Sequence, residues 1–165
     1  MNWKPKIAAI LGMLFVLAMC SSPAAYAAPP KDACTLLTPA QVSAALGVPA
    51  AGNALGPKGC IWDQTGVKPG SPRRRVDLVI LTMQGFTQAY SLAKMPNSPT
   101  SATHVSGLGD DAYYLRMTSD QYMELRVKKG SVAFGILVWH NGTPFTPDQI
   151  KDKEKTLAQD VLARM

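Results

Sequence analysis

The chain has 165 residues, of which 17 are Lys or Arg and 11 are Asp or Glu, so its formal net charge is +6. This length suits one domain. With three cysteines and two histidines, the chain has no closely spaced ligand pairs of the kind that a zinc site uses, so we predict no metal and no cofactor.

The N-terminus has the layout of a secretory signal. Two lysines precede an apolar run over residues 7–19, and residues 25–27 form an A-x-A cleavage site. The apolar run is shorter than the ~20 residues that a membrane-spanning helix needs. We therefore predict a signal peptide over residues 1–27 and one domain over residues 28–165. The mature protein is expected in the periplasm or secreted, with no transmembrane segment.

A second kind of processing stays open at Cys20. Residues 17–21 resemble a bacterial lipoprotein box, in which the cysteine becomes the lipid-bearing first residue. Met19 stands where such a box has a small residue, so cleavage after Ala27 is favoured. Loss of the two signal lysines leaves the mature chain with a net charge of +4. That mild positive charge suits contact with an anionic envelope, and export gives no reason to expect nucleic acid as a partner.

The mature chain keeps two cysteines, Cys34 and Cys60. Because exported proteins meet an oxidising environment, an even pair predicts a disulfide. Closing this loop is expected to stabilise the fold by about 3–4 kcal/mol. The alternative is a zinc site, for which the sequence lacks ligands.

The first half predicts two helices and two strands. A helix begins at Pro39, because Thr38 is a good N-cap and Gln41 completes a capping box. Residues 50–59 are interpreted as a loop of small residues. The other predicted elements are strands over Cys60–Asp63 and Arg75–Thr82 and a helix over Phe86–Lys94. The continuous apolar run of the second strand predicts that protein covers both of its faces.

The second half predicts a three-stranded meander and a closing helix. The residues after the second helix, rich in Ser and Thr, are interpreted as a loop. Strands are expected over Ala112–Met117, Tyr122–Val127 and Val132–Trp139, separated by turn sequences. The last helix begins at Pro147, with the same type of cap as the first. The predicted fold class is α+β: an antiparallel sheet of about five strands with helices packed against it and one disulfide.

Two short motifs resemble one group of exported domains. The first runs from Asp32 to Thr38 and continues with Leu46-Gly47 and Cys60-Ile61-Trp62, and the second is Gly107-Leu108-Gly109-Asp110-Asp111-Ala112. Both are similar to the LpqN-like lipoproteins of actinobacterial type and to the extracellular sensor domain of the PknH kinase. The resemblance implies a helix-flanked antiparallel sheet in the cell envelope. The sensor domain has further cysteines that this chain lacks, so a shared ligand or signalling role is not implied. The group has no common reaction, so the resemblance implies no activity either.

The Gly-Leu-Gly-Asp stretch is predicted to be a structural turn formed by Gly107, Gly109 and Asp110. A phosphate loop would need a third glycine followed by a helix, whereas a strand is expected after Asp111. A calcium loop would need more oxygen ligands at spaced positions. Glycines that adopt unusual backbone angles and an aspartate that bonds to nearby amides are typical of a tight turn before a strand.

The remaining candidate site is a cluster of basic and aromatic residues. Arg73, Arg74 and Arg75 form the densest positive charge, and Trp139 and His140 lie at the predicted end of a strand. We predict these five as ligand-binding residues, because arginine runs often mark interaction patches.

The predicted function is that of an exported, non-catalytic binding or sensor-like module of the cell envelope. Its partner would be a small ligand or an envelope protein. The alternative is a hydrolase acting on an envelope polymer, with His140 as a base assisted by Asp110 or Asp111. No frame of nucleophile and base accompanies these residues, so no catalytic residue is assigned.

Overall fold

The computed structural model describes residue 30 and residues 32–117, 123–142 and 145–165. Their helices are a short 3-10 helix at Ala33–Thr35, α1 at Pro39–Leu46, α2 at Met83–Ala93 and α3 at Pro147–Leu162. The strands are β1 at Ala50–Ala54, β2 at Gly59–Gln64, β3 at Arg74–Leu81, β4 at Thr100–His104, β5 at Asp111–Met117, β6 at Met123–Lys129 and β7 at Val132–His140.

One antiparallel sheet organises the chain. Its strand order is β1-β2-β3-β7-β6-β5-β4. Two hairpin-connected groups, β1–β3 and β4–β7, meet where β3 pairs with β7. The α+β class with three α-helices is confirmed.

The prediction of about five strands was wrong, because the sheet has seven. The two missed strands are the edges, β1 and β4, which the sequence analysis interpreted as loops. Alanine, glycine and asparagine have low strand propensity, so the sequence Ala-Ala-Gly-Asn-Ala of β1 gave no strand signal. Pairing with β2 outweighs that low propensity in β1.

The predicted starts of α1 and α3 are confirmed, whereas α2 begins at Met83 and not at Phe86, with Thr82 as its N-cap. The side chain of Thr38 accepts a hydrogen bond from the amide of Gln41, and the Gln41 side chain accepts one from the Thr38 amide. Thr146 and Gln149 form the same capping box on α3. These bonds satisfy amide donors that a helix start otherwise leaves without a partner.

The predicted Cys34–Cys60 disulfide is confirmed. It joins the short 3-10 helix to β2, with 5.1 Å between the two Cα atoms. It therefore fastens the N-terminal segment to the covered side of the sheet.

The two faces of the sheet are covered to different extents. On one face α1, α3 and the 3-10 helix enclose the main core, which includes Trp62, Leu125 and Phe134. On the other face α2 covers only one part, where Phe86 packs on Tyr113. The hydroxyls of Tyr113 and Tyr114 donate to backbone oxygens of α2 and α3 respectively, so these neighbouring tyrosines lie on opposite faces. Strand β5, which carries them, lies next to the edge and not at the centre of the sheet.

The expectation that both faces of β3 are covered was also wrong. Val76 and Leu78 are fully buried in the main core. Val79 points to the opposite face and is 37% exposed. The apolar run of β3 therefore includes a residue that the described part of the chain leaves in contact with solvent.

Candidate functional site

The part of the sheet that α2 leaves uncovered is the candidate site. We call it the open face and define it by six side chains, contributed by β2, β3, β6 and β7: Ile61, Asp77, Val79, Glu124, Leu137 and Trp139. Most of these side chains, together with Leu55 and Lys58 of the β1–β2 turn, line a groove of about 440 Å³. The groove is mainly apolar at its base, with two carboxylates beside it.

A glycine at the centre of β7 makes room for one of these carboxylates. A Cβ atom on Gly135 would overlap the carboxylate of Glu124 and lie 3.3 Å from a methyl carbon of Val79. The glycine therefore allows the Glu124 side chain of β6 to lie across β7. Any other residue at this position would have to displace that side chain.

Both carboxylates of the open face are paired with an arginine two residues away on the same strand. The Asp77 carboxylate lies 2.9 Å from the Arg75 guanidinium, and the Glu124 carboxylate lies 2.7 Å from that of Arg126. Burial raises the pKa of Asp77 above its ordinary value, Arg75 opposes that change, and the nearby Asp63 adds to it. The open face therefore combines apolar contact area with charges that are already neutralised.

The sheet register divides the predicted ligand-binding residues between the two faces. Arg75 is paired with Trp139, and its guanidinium lies 5.3 Å from the centre of the indole ring. These two residues lie on the same side as Leu137, so they extend the open face at one end. Arg74 is paired with His140 and lies on the opposite side.

Arg74 and His140 surround an aromatic ring beside α1. The Arg74 guanidinium donates to the Leu46 oxygen at 2.7 Å, and Lys153 donates to the Ala45 oxygen. The side chains of Arg74, His140 and Lys153 all contact the ring of Phe145. Cationic donors at the last carbonyls of a helix stabilise its C-terminus. Arg74 therefore already has a structural role.

Arg73 is exposed and lies just before β3. Its backbone amide donates to the side-chain oxygen of Asn141 at 2.6 Å. This hydrogen bond joins the residue before β3 to the residue after β7.

The stretch from Gly107 to Asp110 is hydrogen-bonded to the turn between β6 and β7. Gly107 and Gly109 have φ angles of 75° and 63°. The Asp110 amide donates to the Lys128 oxygen at 2.8 Å, and an Asp110 carboxylate oxygen accepts from the Gly130 amide at 2.6 Å. These contacts connect two turns that are far apart in sequence.

The proposed catalytic grouping of His140 with Asp110 and Asp111 is not assembled. In the register of the sheet, Asp111 is paired with Lys128 of β6, and Lys128 is paired with Ala133 near the start of β7. His140 ends the same strand seven residues later, a distance of about 23 Å at the usual rise. A base must lie within hydrogen-bonding reach of the group that it serves, so these residues cannot act on one substrate atom.

Glu154, a buried carboxyl group on α3, was not among the predicted site residues. It is 0% exposed, and one of its oxygens accepts the Val138 amide at 3.0 Å. That amide points toward β6, where the paired ladder ends at Leu125 and Ile136. Glu154 therefore accepts the bond that β6 would take if its pairing with β7 continued past Leu125. Burial raises its pKa from 4.5 to about 9, so the group is neutral at pH 7.

A signal for this burial was present in the sequence. Glu154 lies four residues after Ile150 and three before Leu157, both of which are buried residues of the apolar side of α3. Helical spacing therefore places it on that side.

Within the described ranges, no three His, Cys, Asp or Glu side chains come together to hold a metal ion. None of the described helices has both the length and the apolar character needed to cross a membrane. Comparison with known proteins gives no match to a family model, a curated protein or a solved structure. The class is therefore defined by the structure itself: a disulfide-linked α+β domain whose single antiparallel sheet is covered fully on one face and partly on the other.

Proposed function

We propose that this protein is an exported, non-catalytic binding module of the cell envelope that binds a polypeptide partner on its open face. The single observation that carries the proposal is the apolar groove on the part of the sheet that α2 does not cover. Val79 and Leu55 are 37% and 62% exposed beside it. Exposed apolar residues grouped around a groove are typical of an interaction site.

A polypeptide fits this groove better than a small ligand does. Sites for small molecules enclose most of the ligand surface, whereas this groove lies on one side of a sheet. Paired charges beside an apolar centre resemble a protein interface, with its polar rim and apolar core. Export is supported by the signal-like N-terminus and by the disulfide, which persists in oxidising compartments. The resemblance to exported envelope domains agrees with this location.

A site-specific photocrosslinker tests the proposal. A benzophenone amino acid replaces Val79 in one variant and Leu92 in the other. Leu92 is a matched control, because it is an exposed apolar residue on α2 outside the groove. After export, position 79 is expected to give one discrete crosslinked protein and position 92 is not. Binding of that purified protein should weaken with Val79→Lys and persist with Leu92→Lys.

Equal crosslinking at both positions would contradict a site on the open face. The hydrolase alternative is tested with envelope polymers as substrates. We expect no turnover by the wild type and a normal thermal melt for His140→Ala. Turnover that disappears in His140→Ala without a change in the melt would refute the non-catalytic function.

A further inference from the structure

The backbone of edge strand β1 has hydrogen-bonding groups that point away from the sheet. Thr65 donates to the Pro49 oxygen at 2.9 Å, and Leu55 donates to the Gly59 oxygen at 2.8 Å. In an antiparallel ladder, residues that bond to the neighbour alternate with residues that do not. The odd-numbered residues of this segment therefore bond to β2, and the even-numbered ones, Gly52 and Ala54 among them, direct their N–H and C=O groups outward.

A contact at the start of β1 supports this alternation. The Ala50 amide donates to the side-chain oxygen of Ser43 at 2.9 Å instead of to β2. The residues that follow Ala50 in this strand, 51–54, are all exposed. The outward groups of Gly52 and Ala54 therefore lie on an accessible edge.

This edge lacks the usual protection against strand addition. Natural edge strands carry charged side chains, prolines or bulges that prevent pairing with another chain. The five residues of β1 include no Asp, Glu, Lys, Arg or Pro, and the oxygen of the preceding Pro49 bonds toward the β2 side. At the opposite edge, Ala102 of β4 packs against the cluster under α2. Strand β1 is the more exposed of the two edges, because residues 51–54 are all exposed, whereas Thr100 and Ala102 of β4 are partly buried.

The side chains of β1 connect this edge to the groove. Asn53 is paired with Ile61, which belongs to the open face, so Leu55 lies on the same side two residues later. Leu55 is 62% exposed and lines the groove. A strand added beside β1 would therefore place one of its side chains over Leu55, next to the groove.

We infer that an extended segment of the partner polypeptide binds as an eighth strand beside β1, with an apolar side chain over Leu55. This inference rests on the proposed function, because it specifies how the partner of the open face is held. Backbone hydrogen bonds to Gly52 and Ala54 supply pairing that is independent of sequence, and the Leu55 side of the groove supplies selectivity.

A second copy of this chain fits the edge less well. If two β1 strands paired about Gly52, the Ala54 oxygen of one copy would face the Ala50 amide of the other. That amide is already bonded to Ser43. The side chains brought together would be alanine, glycine and asparagine, which bury little apolar area.

Two substitutions of Ala54 distinguish the contribution of its outward amide to binding from that of its side chain. Ala54→Pro removes the outward N–H while the odd-numbered residues keep their bonds to β2, and the extended conformation of Asn53 suits a following proline. Ala54→Val is the matched control, since it adds side-chain volume and keeps the amide. Gly52 is unsuitable, because a Cβ there would lie 2.7 Å from the Trp62 indole nitrogen.

The probe is a phage-displayed library of random peptides selected on the full chain, and recovered peptides are then titrated as synthetic peptides. We expect Ala54→Pro to weaken binding about tenfold, as for one lost hydrogen bond, and Ala54→Val to retain it. In the wild type, bound peptide should slow hydrogen exchange of the Gly52 and Ala54 amides. Because hydrogen exchange is measured on the wild type, it tests the inference even if the Ala54→Pro variant does not fold.

Several results would overturn the inference. One is a selection that enriches no peptide beyond those found on an unrelated protein. Another is peptides that Val79→Lys weakens but Ala54→Pro does not, with unchanged exchange at Gly52 and Ala54. That result would keep the open face as the site and remove strand addition. A concentration-dependent dimer that Ala54→Pro abolishes would assign the edge to a second copy of the chain.

Discussion

Replacement of Glu154 by glutamine is expected to change how the stability of the protein depends on pH. The Glu154 carboxyl is buried under α3, and burial raises its pKa from 4.5 to about 9. Between these two values the folded protein keeps a proton that the unfolded chain releases. Because the folded state then binds more protons, the free energy of unfolding contributed by this group falls as the pH rises from about 4.5 to about 9.

The interval between the two pKa values sets the size of the effect. At about 1.4 kcal/mol per pH unit, it gives an upper bound of about 6 kcal/mol over the whole range. Glutamine has nearly the same shape, does not titrate, and has an oxygen that can accept the Val138 amide. The wild type and Glu154→Gln should therefore be similarly stable at pH 5, and the variant should be more stable by several kcal/mol at pH 9.

The measurement is urea-induced unfolding, followed by tryptophan fluorescence at pH 5, 7 and 9. Subtracting the two unfolding free energies at each pH cancels the contributions of Asp77 and other titrating groups. Asp152→Asn is the control, because Asp152 is an exposed carboxylate on the same helix. If the difference between wild type and Glu154→Gln stayed constant from pH 5 to pH 9, the assignment of a neutral carboxyl group would be refuted.

Three further outcomes are expected. Gly109→Val should destabilise more than Gly107→Val in thermal melts, because both glycines have positive φ but only a Cβ at position 109 would meet the Lys128 backbone; equal losses would contradict a close approach there. Replacing Cys34 and Cys60 together by alanine should lower the unfolding free energy by about 3–4 kcal/mol, and a loss below about 1 kcal/mol would show that the loop is restrained by other contacts. N-terminal sequencing of exported protein should begin at Ala28, and a lipid-blocked cysteine as first residue would show lipoprotein processing instead.

The sequence predicts this fold best where local chemistry decides the structure. Both capping boxes use a threonine, a proline and a glutamine at fixed spacing, so the starts of α1 and α3 follow from those residues alone. The disulfide follows from two cysteines together with the predicted export signal. By contrast, β1 exists because the chain folds back on β2, and nothing in five small residues indicates that pairing.

The candidate site depends even more on long-range contacts. In the sequence, Arg75 and Trp139 are separate features, and only the register of β3 with β7 places one on the other. The apolar run of β3 likewise predicts complete burial, whereas Val79 is partly exposed. Which side of a strand stays uncovered depends on the position and length of α2, and the residues of β3 carry no information on either.

The pairing of β3 with β7 also affects the order in which the chain can fold. The two strands are neighbours at the centre of the sheet, but they lie more than fifty residues apart in sequence. A chain that emerges with its N-terminus first exposes β3, with one side of its backbone unpaired, until β7 has followed. Contacts between distant segments slow folding and prolong the time in which unpaired strands can aggregate. The sheet can therefore be completed only after β7, its last strand in the sequence, has been synthesised.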